Sequence, residues 1–195
     1  AKPHRTLPGN NTQVEQCAQC HSRRSRIDAN NHAGSFFNTY LPSLLEPSLY
    51  YPDGQIRDEV FEYGSFLQSK MHTAGVTCSN CHNAHSNKLK QEGNGLCVQC
   101  HSDDHDTPAH TLHPVGSAGS ACVDCHMPSK TYMGVDDRRD HSFRIPRPTL
   151  SQATGSPNAC QQCHAGKTNE WAIQILTEHF GKASPETLPP PHYGA

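Results

Sequence analysis

Apolar residues fall at helical spacing in few places along this chain. In NEWAIQILTEHF (Asn169–Phe180), Trp171, Ile175 and His179 recur every four residues and Gly181 offers a C-cap, so a helix is predicted there. A second helix is predicted near Asp58–Met71 (DEVFEYGSFLQSKM), where Val60, Phe61, Phe66 and Leu67 form one apolar side despite Gly64. FFNTYLPSLLEPSLYYPDGQI (residues 36–56) is the one stretch rich in aromatic residues, and packing is its expected use. YYPDGQ and RIPRPTL read as turns or extended links, and the tail SPETLPPPHYGA as semi-rigid and extended.

Composition turns this sparse pattern into a problem. Only 33% of the 195 residues are hydrophobic, and the mean hydropathy is −0.74. Such a chain struggles to bury enough surface to offset its ordering entropy. Yet the 15 prolines and 14 glycines lie among aromatic and cysteine-bearing segments, outside any low-complexity tract. Something other than side chains must supply the core. The net charge of −2 gives nucleic-acid binding no electrostatic support, and no apolar run reaches the length of a membrane span.

The cysteines resolve the problem. All ten lie in one frame, met five times: CAQCH at Cys17–Cys20–His21, CSNCH at Cys78–Cys81–His82, CVQCH at Cys97–Cys100–His101, CVDCH at Cys122–Cys125–His126 and CQQCH at Cys160–Cys163–His164. Zinc knuckles come in pairs and need no histidine after the second cysteine. A thioredoxin-like redox motif would occur once, within a βαβ unit, and a disulfide scaffold needs no invariant histidine. C-x-x-C-H is the signature of covalent c-type haem attachment: both thiols add to the haem vinyl groups, and the adjacent histidine binds iron. Five haems then form the core and the polypeptide wraps them. The expected fold is mainly irregular, with short α-helices, each frame on a helical turn, and little or no β-sheet. The apoprotein is expected to be largely unfolded. The irregular frame positions exclude a fixed-period solenoid.

Each iron has a further axial position. Of the 15 histidines, ten lie outside the frames, while there are only three methionines, Met71, Met127 and Met133. Bis-histidine ligation at most sites, with low potentials, is therefore the economical reading. His85 follows His82 too closely to reach over its own haem and should serve a neighbour. His110 and His113 lie three apart between two frames, each able to reach a different haem. His141 sits among arginines before the last frame, and His32 and His72 lie in the long first interval. His4, His105, His179 and His192 are expected at the surface or behind other ligands. Arg23, Arg24, Arg26, Arg138, Arg139, Arg144 and Arg147 are candidates for pairing with haem propionates, beside the plainer reading of a solvated basic face.

The segments GVTCSNCHNAHS, GLCVQCH, DTPAHTLHPVGSAGSACVDCHMPSKTYMGVDDRRDHSFRIPRP, PNACQQCH and EWA resemble the multihaem c-type cytochromes of the doubled-CxxCH, decahaem DmsE-like group. The resemblance covers roughly residues 14–180. It implies distal ligation by His32, His85, His110, His113 and His141. His72, where relatives often carry Tyr, is the reserve. Many relatives continue into helical repeats, which do not follow the Trp171 segment here, so docking through such repeats is not carried over.

The expected organisation is a single pentahaem unit over residues 1–195. Residues 1–77 carry the first haem and the aromatic-rich loop, which packs against that haem. Residues 78–180 carry four haems, and 181–195 form the Pro-rich tail. The expected function is electron transfer along five covalent haems, without catalysis, toward redox partner proteins or an extracellular acceptor. The alternative is a multihaem reductase of a small nitrogen or sulfur oxide with one open-site haem. Pentahaem nitrite reductases typically place Lys at the histidine of one frame, whereas all five frames here end in His. A third reading is a homopolymeric filament with haem stacking between subunits, by analogy with other compact multihaem cytochromes. Thioether attachment is completed outside the energy-transducing membrane, so an exported protein, periplasmic or extracellular, is expected, with any signal peptide removed.

Overall fold

The computed structural model describes residues 11–29 and 35–181. Helix α1 (Asn11–His21) buries Val14 and Ala18, one turn apart, and carries the first cysteine frame at its C-terminal end. A short ribbon follows. Strand β1 (Arg24–Arg26) pairs antiparallel with β2 (Tyr40–Pro42), in a register from Arg24 opposite Pro42 to Arg26 opposite Tyr40.

The helix expected over residues 58–71 is two shorter ones, α2 (Tyr63–Leu67) and α3 (Lys70–Thr73). Phe61, with φ of 59°, lies in the left-handed region and stops any helix before it. Ser69 separates the pair: its hydroxyl accepts from the His72 amide at 3.0 Å and caps α3. The remaining helices are α4 (Cys78–Cys81), α5 (Gly95–Val98), α6 (Pro108–Thr111), α7 (Cys122–His126), α8 (Pro148–Thr154) and α9 (Asn169–Phe180). Three-residue and four-residue 3₁₀ turns cover Phe36–Asn38, Asp103–His105 and Ala159–Gln162. RIPRPTL is not wholly a link. Pro148 opens α8 from its first turn and Gly155, at φ of 69°, ends it. Helix α9 has the predicted bounds, with the Thr168 hydroxyl accepting from the Trp171 amide at 3.3 Å. Strands β3 (Ser129–Tyr132) and β4 (Asp136–Arg139) form a second antiparallel hairpin. The fold is thus mostly irregular with short helices and two small two-stranded sheets.

Among the described residues, side chains build two small apolar clusters. One holds Val14, Ala18, Phe36, Tyr63 and Phe66, with Tyr40, Cys78 and Phe143 packed against it. The other holds Leu49, Tyr50 and Val60, with Leu45 and Ile56 beside them. The aromatic stretch after residue 35 therefore serves as packing. From Val76 to Thr131 no residue is buried, although that span carries three of the five frames.

Hydrogen bonds tie the first part of the chain to the later part. The Ile56 amide donates to Asp140 Oδ2 at 3.2 Å, Gln55 Nε2 to Pro157 O at 2.9 Å, and Arg144 to Gln68 Oε1 at 3.0 Å. Arg138 pairs with Glu59 and with Asp136. The tail SPETLPPPHYGA, His4, His32 and His192 lie outside the described residues.

Candidate haem sites

The frames share one local device. The amide of the frame histidine donates to the carbonyl of the first cysteine: His82 to Cys78 at 2.9 Å, His101 to Cys97 at 3.0 Å and His164 to Cys160 at 2.9 Å. One turn of chain thus holds two thiols and an imidazole together. Capping secures several of these turns. Asn80, inside the second frame, accepts from the Thr77 amide at 2.7 Å, and Asn158 accepts from the Cys160 amide at 3.1 Å. The fifth frame lies on a 3₁₀ turn and only part of the third is helical, so a helical turn at every frame is an approximation.

Consecutive frames are neighbours in space. The Ser79 amide donates to Gln13 Oε1 at 3.1 Å, which joins the second frame to the helix of the first. The Cys122 amide donates to Asn94 Oδ1 at 2.8 Å, which joins the fourth frame to the segment that opens the third. Gln162 Nε2, in the fifth frame, donates to Ser129 O at 2.7 Å, just beyond the fourth. The thiols follow the same order. Burial, then Cys17 beside it, pushes the Cys78 thiol up to about 12. Burial, then Cys97, pushes Cys122 up to about 11. Burial with Cys100 nearby raises Cys81, and burial with Cys160 nearby raises Cys125. No disulfide joins any of the ten cysteines.

The donor set fits haem iron, which needs from the protein only two axial ligands per site. Among the described residues no three His, Cys, Asp or Glu side chains converge as around a metal ion held by protein alone. Imidazoles instead come in pairs. Two imidazoles bound on opposite sides of one metal, each with nitrogen about 2 Å from it, have ring centres about 6 Å apart. The structure sets His82 and His141 at 6.3 Å with planes 28° apart, His110 and His126 at 6.1 Å and 10°, and His113 and His164 at 6.0 Å and 34°. In several of these rings Nδ1 is spoken for. His126 Nδ1 donates to Arg144 O at 2.7 Å, His113 Nδ1 to Thr111 O at 2.6 Å, and His141 Nδ1 to Arg139 O at 2.9 Å. That tautomer leaves Nε2 as the lone-pair donor. Burial lowers the pKa of His82, His101 and His110, with neighbouring imidazoles adding to it, and so favours their neutral form.

Gly119, at φ of 87°, clears space at one of these rings. A Cβ there would lie 2.8 Å from both Cδ2 and Nε2 of His113.

The other histidines stand differently. His21 Nδ1 donates to Glu62 Oε2 at 3.3 Å. His85 is exposed, on a turn where Asn83 Oδ1 accepts its amide at 3.0 Å, and none of the described ring pairs includes it. His72 packs edge-on against Phe66 at 5.4 Å, and burial lowers its pKa. His179 donates from Nε2 to Ala109 O at 2.8 Å, so the nitrogen an iron would need is occupied. His105 lies 5.0 Å from His110 with planes 56° apart, nearer than two imidazoles on opposite sides of one metal.

The arginines turn toward protein. Arg139 donates to the Val123 and Met127 carbonyls and to Asp124, latching α7. Arg144 bonds Ser142 and Gln68, and Arg24 lies 4.9 Å over the Tyr40 ring. Glu62, Asn94 and Gly119 are the site residues that motif reading misses. Glu62 acts on a ring 41 residues away and Asn94 on a frame 28 residues away, while Gly119 acts on nearby His113 through a backbone conformation that no motif marks.

Residues 104–184 match the Cytochrome c552 family model, and residues 71–106 match the model of the doubled CXXCH motif. A comparison with curated proteins finds no match. Among solved structures the fold is similar to the crystal structure of the outer cell wall cytochrome OcwA, with a TM-score of 0.63 at 19% identity. The similarity covers 85% of this chain and 51% of that one, so this chain spans about half of its length. Each matched segment holds two complete C-x-x-C-H frames, and with the shared fold these matches support a multihaem c-type cytochrome.

Proposed function

We propose that the chain binds five haems, one per frame, and passes electrons among them in chain order. Three facing imidazole pairs at 6.0–6.3 Å carry this reading. In it His141 is the second ligand at the His82 site, His110 at the His126 site and His113 at the His164 site. The His21 and His101 sites draw on His32 and His85, with His72 in reserve. Bis-histidine ligation closes each iron to substrate and favours low potentials.

The haem iron supplies the one-electron couple. The chain's residues supply the rest: thioether anchoring through ten cysteines, ring orientation through Nδ1 hydrogen bonds, and frame-to-frame spacing through Gln13, Asn94 and Gln162. The proposed setting is exported, because haem is attached outside the energy-transducing membrane. A likeness to a protein titled an outer cell wall cytochrome supports that setting, and redox partner proteins or an extracellular acceptor are the proposed partners. Electron paramagnetic resonance of the purified protein tests the ligation. Wholly low-spin iron is expected, and a high-spin component in the untreated protein would favour the reductase reading.

A further inference from the structure

The frame histidines differ in what their outer ring nitrogen meets. His126 donates from Nδ1 to a neutral carbonyl, Arg144 O, at 2.7 Å, whereas His21 donates to the Glu62 carboxylate at 3.3 Å. Among the described residues His21 is the histidine paired with a carboxylate. Glu62 is held in place by its surroundings. Its carbonyl accepts from the Ser65 hydroxyl at 3.0 Å and the Phe66 amide at 2.9 Å, anchoring it at the start of α2. Phe61, just before it, adopts a left-handed backbone that bulky residues rarely take, and the Arg138 guanidinium lies 4.7 Å over its ring. Arg138 spends its donors on Glu59 and Asp136.

From this contact we infer that Glu62 makes the first haem the most reducing of those in the chain. A carboxylate acceptor makes an imidazole a stronger donor to the metal it ligates. Its negative charge also favours the more positive, oxidised iron. Both effects lower the potential at that site, and neutral carbonyls do neither to the same degree. Glu62 is a positioning residue, acting through His21. With frames adjacent in chain order, a low-potential first site biases electrons away from the His21 end toward the second frame.

The inference rests on His21 being an axial ligand, and the two are separable. His21→Ala tests the ligation itself: loss of one low-spin haem upholds it, and five unchanged haems overturn it. Glu62→Gln keeps an oxygen that accepts from Nδ1 but removes the charge. With five haems retained, spectroelectrochemistry should show the lowest of the five components rising by about tenfold in its one-electron equilibrium, about 59 mV. The His82 site, which also feels the Glu62 charge, should rise by less, and the other three should stay within roughly twofold. No rise, or an equal rise in all components, overturns the inference. Glu59→Gln removes a nearby carboxylate that does not touch His21. It should leave that component within roughly twofold, and a shift as large as that of Glu62→Gln would refute the hydrogen-bond assignment. Should Glu62→Gln lose haem, Glu62→Asp draws the carboxylate back while keeping its charge. It should raise the same component by less, and an unchanged or lowered potential counts against the role.

Discussion

Gly119 and the paired histidines carry the most local tests. Adding a methyl group at Gly119 strains a backbone at φ of 87° and pushes on the His113 ring. Gly119→Ala should therefore cost about 1–3 kcal/mol and loosen His113, read as a new high-spin signal from one haem. His141→Ala, His110→Ala and His113→Ala should each convert a single haem, and each a different one, because the three rings face three different frames. The same haem responding to two of these variants would contradict the pairing. Tyr50 gives a test away from the haems. It is buried, and burial together with Asp140 raises its phenol to about 12 from 10.0. The unfolded chain loses that proton first, so stability present below pH 10 should fall as pH rises toward 12. Tyr50→Phe should remove that part of the alkaline loss in chemical denaturation.

At the scale of elements, Asn94 joins two frames through three hydrogen bonds. Its Nδ2 donates to Asp106 at 2.6 Å and to Ser120 O at 3.0 Å, and its Oδ1 accepts from the Cys122 amide. Asn94→Ala strands those groups, and a loss of about 1–2 kcal/mol is expected, lowering Tm by roughly 2–4 °C per kcal/mol. An unchanged Tm would show that the link is idle. Legibility in the sequence divides at this scale too. Helix α9 is readable because its four-residue periodicity and Gly181 agree, and the structure adds the Thr168 cap at its start. The stretch 58–71 misleads, since its apolar spacing is helical while Phe61 turns left-handed in tertiary context beneath Arg138. The frames are legible because attachment chemistry fixes their spacing. What faces them is not: Glu62 lies 41 residues from His21, and His126 is bonded by the carbonyl of Arg144. Such contacts depend on how the chain wraps, which no local pattern encodes.

The whole molecule shows why composition alone predicts disorder. Its two apolar clusters draw mainly on residues before Val76, and from there to Thr131 no side chain is buried. Protein groups alone do not make a core in that span, so its order must come from haem held by the frames it contains. Produced without haem attachment, the chain should show little helix by circular dichroism and no cooperative melting. A sharp thermal transition in that apoprotein would mean that the polypeptide folds unaided. Every frame is expected to carry a haem, and intact-mass spectrometry of the purified protein reads this directly. The account predicts the polypeptide mass plus five haems, surviving acid denaturation because the bonds are thioethers. A mass with fewer than five, or with haem lost on denaturation, would contradict it.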